Sequence, residues 1–144
     1  MPVSVKNILD TKGRDVISVG REKTVAEVAA ILAEHKIGAA VITSLEGRIA
    51  GIFTERDLVR VVAQDGAAGL EKPVSSGMTA NVIRCREETS LNELMEIMST
   101  GRFRHVPVEE SGKLIGIISI GDVVKARIRE VEAESEHMMA YIAG

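Results

Sequence analysis

The feature that most constrains this chain is a duplication. GIFTERD (Gly51 to Asp57) returns as GIISIGD (Gly116 to Asp122), and much of what precedes each copy returns with it. Val16 and Ile17 match Val82 and Ile83, Glu27 matches Glu93 and Ile31 matches Ile97, all at an offset of 66 (82 minus 16). After the turn the offset is 65 (116 minus 51). The lost residue falls between TSLEG (Thr43 to Gly47) and EESG (Glu109 to Gly112), where a hairpin loop can absorb a deletion. Self-similarity of this kind means one supersecondary unit written twice. Neither unit, at about 60 residues, buries much core alone, so the two are expected to pack on each other.

Each copy opens with a short β-like run, VISV (Val16 to Val19) or VIRC (Val82 to Cys85). A helix follows in each. Thr24 stands three residues before Glu27 and Ser90 three before Glu93, the capping-box spacing. Val25, Val28, Ile31 and Leu32, and Leu91, Leu94, Ile97 and Met98, recur at helical spacing and are expected to face inward. AAVIT with RIAGIFT, and HVPVE with KLIGIIS, read as hairpins of two buried strands. The final helices are expected to start at Thr54 and Ser119. The fold expected is α+β, two β-α-β-β-α repeats packed with pseudo-twofold symmetry, plus a C-terminal helix. Residues 1–66 form the first repeat with its N-terminal lead-in, 67–79 a linker rich in turn residues, 80–126 the second repeat and 127–144 the helical extension. Within the linker, Val74 and Met78 mirror Val5 and Leu9, so each repeat is expected to be led into by a short helical turn.

Composition removes several function classes. One Tyr, two Phe and no Trp leave little aromatic surface for stacking on bases. Eighteen basic against twenty-one acidic side chains, with no basic run, do not suit a phosphate backbone. Nucleic acid is therefore not an expected partner. One cysteine, Cys85, permits neither an internal disulfide nor a cysteine-based metal cluster. No stretch approaches the roughly 18 apolar residues of a membrane span, and no cleavable leader is legible. The expected setting is cytoplasmic, without a membrane. No metal-ligand spacing, Walker loop or GxGxxG is present, so neither a metal nor a catalytic constellation is expected.

The duplicated G-h-h-[TS]-x-x-D ending, RHVPV (Arg104 to Val108) and the linker ending GMT, all in register, make the chain similar to a tandem pair of CBS domains, or Bateman module, over nearly its whole length. The resemblance implies a stand-alone regulatory module, not an enzyme, that binds AMP, ADP, ATP, NAD(H) or S-adenosylmethionine between its repeats and acts on a regulated protein yet to be identified. It also implies an adenine ring lying against Val16, Ile17, Val82, Ile83 and Pro107. The first repeat departs from the pattern, with IGAAV where the second has FRHVPV.

Thr54 with Asp57, and Ser119 with Asp122, carry two readings. [ST]-x-x-[DE] is a helix cap. Yet the first helices use Glu at this position and both second helices use the shorter Asp. A carboxylate can accept from both hydroxyls of a ribose, while a hydroxyl and helix N-terminal N–H groups suit a phosphate. Asp57 and Asp122 are thus candidates for ribose, and Thr54 and Ser119 for phosphate. Carboxylate and phosphate repel, so cations are needed. Arg56 beside the first Asp, and Arg102, Arg104 and His105 before the rigid Pro107, are the candidates; a solvated charged bend is the plain alternative for the latter three. Lys12 and Arg14 could reach a second phosphate in a dinucleotide. Cys85, aligned with Val19, reads as a buried thiol.

Beyond Asp122, the positions Val124, Ile128, Val131, Ser135, Met138 and Ile142 alternate spacings of four and three, a heptad-like seam. It suits a homodimer contact, or docking on the chain's own domain; Glu130, Glu132, Glu134 and Glu136 are expected on the solvated side. The competing reading of the whole chain is a protein-interaction or assembly module whose nucleotide site is vestigial.

Overall fold

The computed structural model describes residues 3–143. Its helices begin where the sequence supplies caps. In α2 (Val25–His35) the Thr24 hydroxyl accepts the Glu27 N–H at 3.1 Å while the Glu27 carboxylate accepts the Thr24 N–H at 3.2 Å. In α4 (Leu91–Gly101) Ser90 Oγ accepts from Glu93 N–H at 3.1 Å. Both helices end on a left-handed residue, Lys36 at φ 54° and Arg102 at φ 57°. Val25, Val28 and Leu32 of α2 are buried, as are Leu91, Leu94 and Met98 of α4. The capping and periodicity read from sequence therefore give the same helix twice.

The strands are less alike. β1 (Ser18–Gly20) runs parallel to β2 (Ala39–Thr43), which pairs antiparallel with β3 (Ile49–Thr54). β4 (His105–Glu110) and β5 (Lys113–Ser119) form a two-stranded sheet, joined where Ser111 (φ 52°) and Gly112 (φ 79°) take the paired positive φ of a type I′ turn. The strand expected at VIRC does not form; only an isolated parallel bridge, Cys85 to Val108, survives there. Pro107 explains the loss. In the first repeat the Val41 N–H donates to the Ile17 carbonyl at 3.1 Å. The residue matching Val41 is Pro107 (41 plus 66), which has no N–H to offer Ile83. Likewise Val16 and Ile17 precede β1 instead of opening it.

The contacts sort the chain into two compact units that do not follow the order of the repeats. One holds residues 15–83 and 110–115; the other holds the N-terminal segment to Arg14, Arg84–Glu109 and the chain from Gly116 onward. In the first unit α3 (Glu55–Asp65) packs with a 3₁₀ turn over Gly66–Glu71, and a second 3₁₀ turn, Val74–Ser76, follows. This linker completes the fold around α2. Val25 N–H donates to the Lys72 carbonyl at 2.9 Å, and Thr79 exchanges both backbone hydrogen bonds with Ile52 at 2.9 Å. Phe53, Ile42, Val28 and Val74 are fully buried in its core.

In the second unit the equivalent place is taken by α1 (Val5–Lys12). Val5 N–H donates to the Thr89 carbonyl and Leu91 N–H to the Val3 carbonyl, both at 2.8 Å, and α1 packs against α5 (Ile120–Ala143). The helical lead-in ahead of repeat one thus serves repeat two, and the linker serves repeat one.

Candidate functional site

The two strand-to-helix corners are built alike and finished differently. Thr54 and Ser119 cap α3 and α5: their hydroxyls accept from Asp57 N–H and Asp122 N–H, each at 3.2 Å. Each Asp returns the bond, taking the capping residue's own N–H on Oδ2 at 2.9 Å for Thr54 and 2.8 Å for Ser119. The shorter Asp therefore does the work of a capping-box Glu. Each corner is also pinned to the preceding bend, by Glu55 N–H to the Gly38 carbonyl at 3.0 Å and by Ile120 N–H to the Arg104 carbonyl at 2.8 Å.

At Asp57 the rest of the carboxylate is spoken for. Oδ1 accepts from Arg60 Nη2 at 3.0 Å and from the Thr79 hydroxyl at 3.2 Å, and Oδ2 also accepts from the Thr54 hydroxyl at 3.2 Å. Arg60 Nη2 is itself held by the Gly77 carbonyl at 2.6 Å. Asp57 is 7% exposed. The sequence reading missed both partners. Arg60, three residues along the helix, lies at a legible ion-pair spacing; Thr79, 22 residues away, gives no local signal.

Asp122 differs. Oδ2 takes Ser119 N–H and the Lys12 ammonium, the latter at 2.7 Å, and Lys12 Nζ also donates to the Ile117 carbonyl at 2.8 Å. Oδ1 receives no hydrogen bond from the described residues, and the side chain keeps 16% of its surface in solvent. Burial alone would raise this carboxyl's pKa; the Lys12 ammonium and the Ser119 donors outweigh it and hold the group below its ordinary value. Arg104 is exposed at the bend and His105 half-buried at the start of β4, where the first repeat has Gly38 and Ala39. This unit thus brings together Lys12, Arg104, His105, Ser119 and Asp122.

Of the other predicted residues, Arg102 is the exposed left-handed cap of α4 and Arg56 is exposed on the first turn of α3. Pro107 is buried within β4. Val16, Ile17 and Val82 are half-buried, and Ile83 is 45% exposed. Arg14 is engaged by Asp10 at 2.7 Å and Glu87 at 2.9 Å. Cys85 is buried, and burial pushes its thiol up to about 12. Among the described residues no group of three or more His, Cys, Asp or Glu side chains could hold a metal ion, and no helix is long and apolar enough to cross a membrane.

A cavity of about 990 Å³ lies away from the acidic corners, beside α5, lined among others by Ile8, Asn92, Arg127, Glu130 and His137. Arg127 ties to both Asn92 and Glu130, so Glu130 is paired and half-buried instead of solvated as expected. Val123 and Ala126 are the buried residues of α5. Its seam is uncovered: Val124, Ile128, Val131, Met138 and Ile142 are all at least half exposed.

The model of the CBS domain matches the chain twice, over residues 5–64 and 73–129. A CBS-domain-containing protein from Agrobacterium tumefaciens is 59% identical, with a TM-score of 0.84 over 88% of this chain and 95% of that one. The CBS domain pair of protein MJ0100, in complex with 5′-methylthioadenosine and S-adenosyl-L-methionine, is 26% identical, with a TM-score of 0.81 over 90% and 99% of the two chains. A CBS domain protein from Pyrobaculum aerophilum complexed with AMP is 29% identical, with a TM-score of 0.75 over 83% and 89%. With both repeats matched and the duplicated corners in place, the chain belongs to the CBS domain family, as a tandem pair.

Proposed function

We propose that this chain is a non-catalytic regulatory module that binds an adenine nucleotide, AMP foremost, with the ribose held by Asp122. The observation that carries the reading is the second corner: Asp122 keeps an acceptor oxygen uncommitted among the described residues, on a capped helix start, in one unit with Arg104, His105 and Lys12. A ribose diol needs such an acceptor, and a phosphate needs the helix N-terminus and the cations. The relatives crystallised with AMP and with S-adenosylmethionine support the ligand class. Arg104 and His105 favour a phosphorylated ligand over a nucleoside, with ADP, ATP and NAD(H) as further candidates and S-adenosylmethionine behind them. Non-catalytic action is supported by the match of both repeats to the CBS domain and by the likeness to a CBS-domain-containing protein over 88% of this chain.

Calorimetry with AMP and adenosine tests this. AMP is expected to bind well above adenosine, and Asp122→Ala to weaken AMP by about tenfold or more, the worth of one or two charge-assisted hydrogen bonds. Unchanged affinity in a folded variant would remove Asp122 from the ribose. If no adenine nucleotide shifts thermal unfolding, the assembly reading stands instead.

That second reading has its own observation, the uncovered seam of α5. We propose that it joins two copies of the chain into a homodimer in either case. The charges flanking the seam favour an antiparallel pair: Lys125 lies before its midpoint and Glu134 after it, while Arg127 is tied to Asn92 and Glu130 of its own chain. With Ile128 facing the partner's Val131, Lys125 meets an acidic residue, Glu134, from the other chain.

A further inference from the structure

We propose that Lys12 gates the nucleotide site at Asp122, and that the Asp57 corner, filled on both carboxylate oxygens, takes no ribose; the chain then binds a single nucleotide. This rests on the reading of Asp122 as the ribose acceptor and adds to it the group that must move and the count of sites filled.

The argument starts from the difference between the two carboxylates. Asp57 is satisfied on both oxygens by Thr54, Arg60 and Thr79, all within one unit. To free Oδ1, a ribose would have to displace two donors from a group that is 7% exposed. With both oxygens already filled inside the unit, this corner is a closed structural cap. Asp122 has one partner beyond its cap, Lys12, whose ammonium also donates to the Ile117 carbonyl at 2.8 Å, and its Oδ1 stays open among the described residues. Lys12 is the last residue of α1, its side chain is 30% exposed, and it is followed by Gly13 at φ 99°, with open space around the position a Cβ would occupy. Four rotatable bonds let its ammonium swing off Oδ2 and the Ile117 carbonyl without disturbing the cap, which Ser119 N–H maintains.

The exchange conserves charge. While Lys12 sits on Asp122, the ribose diol must compete with an ion pair. When a diol takes the carboxylate, Lys12 is released a few ångströms from the helix N-terminus of α5, where the phosphate of the same ligand needs a cation. A nucleoside must displace Lys12 and offers it nothing; a nucleotide displaces it and gives it a new partner. Lys12 therefore raises the preference for phosphorylated ligands, and occupancy is reported to α1, on which Lys12 stands.

Lys12→Met keeps the apolar stem and removes the charge. Calorimetry on the full chain is expected to give a single AMP per chain for the unaltered protein. In Lys12→Met, adenosine should bind about threefold to tenfold more tightly, because no ion pair has to be broken, and AMP about tenfold more weakly, because its phosphate loses a charged donor. Lys12→Arg should keep most of the AMP affinity. The opposite signs for the two ligands separate a gate from a residue that merely supports the fold, which would weaken both. Both affinities unchanged, both weakened, or two AMP sites filled per chain would overturn the proposal while leaving nucleotide binding itself in place. An unaltered protein that binds neither ligand would overturn the nucleotide reading and the gate together.

Discussion

At Gly51 a methyl group would meet the Thr79 carbonyl oxygen and Met78 Sδ, each at 2.7 Å; at Gly116 it would meet Leu9 Cδ2 at 2.8 Å. The two glycines hold the same place in the duplicated motif, but one faces backbone and the other the end of a flexible side chain. Gly51→Ala should therefore lower stability by about 1–3 kcal/mol and Gly116→Ala by less. Paired thermal melts check the order, and a larger loss in Gly116→Ala would contradict it. Lys12 and Asp122 give a pH signature. The folded carboxyl lies below its ordinary value of 3.8, so the stability it contributes is present above that value and lost as pH falls through the lower folded one. Acid titration of Lys12→Met should show a shallower loss below about pH 4 than the unaltered protein. Cys85, with its thiol pushed up to about 12, should resist alkylation at pH 8 until the chain is unfolded. The Asp contrast was legible at this scale because capping follows a spacing rule. That Asp57 is filled and Asp122 is not depended on Thr79 and Lys12, which arrive from 22 and 110 positions away.

Among the elements, the helices were the most legible. α2 and α4 begin and end within the same pattern because capping and a 3.6-residue period are both local. Strands depend on partners. VIRC has the composition of VISV, yet the sheet stops at one bridge because a proline on the neighbouring strand withholds a single N–H. α5 extends the argument to assembly. Val131→Asp with Met138→Asp should yield a folded monomer, since burying unpaired charge at a helix seam destroys the contact while the core of the unit lies elsewhere. An unchanged dimer mass by light scattering would show that the chains meet through other faces. Orientation is read by exchanging charge. Lys125→Glu and Glu134→Lys should each weaken the dimer about tenfold, and the double exchange should restore it if the helices run antiparallel. Sedimentation showing no restoration would rule out that register.

For the molecule as a whole, the repeat written in the sequence and the unit built by packing are different objects. α1 precedes repeat one in the chain but lies with α4 and α5, while the linker turns back on β3 and α2. This crossing sets the order in which the protein can be completed during synthesis. Residues 15–83 contain most of one unit, including the linker that finishes it, and can close early. α1 is made ahead of the other described elements and finds its partners last. Asp122 follows Lys12 by 110 positions, so α1 must wait for both repeats to be made before its final turn is held. An eight-residue helix is too short to persist alone in water. Nascent chains arrested after the linker should therefore protect β2 and β3 from hydrogen exchange while leaving α1 open, and α1 should gain protection only once α5 has emerged. The helix ahead of both repeats is the closing piece of the unit that it joins.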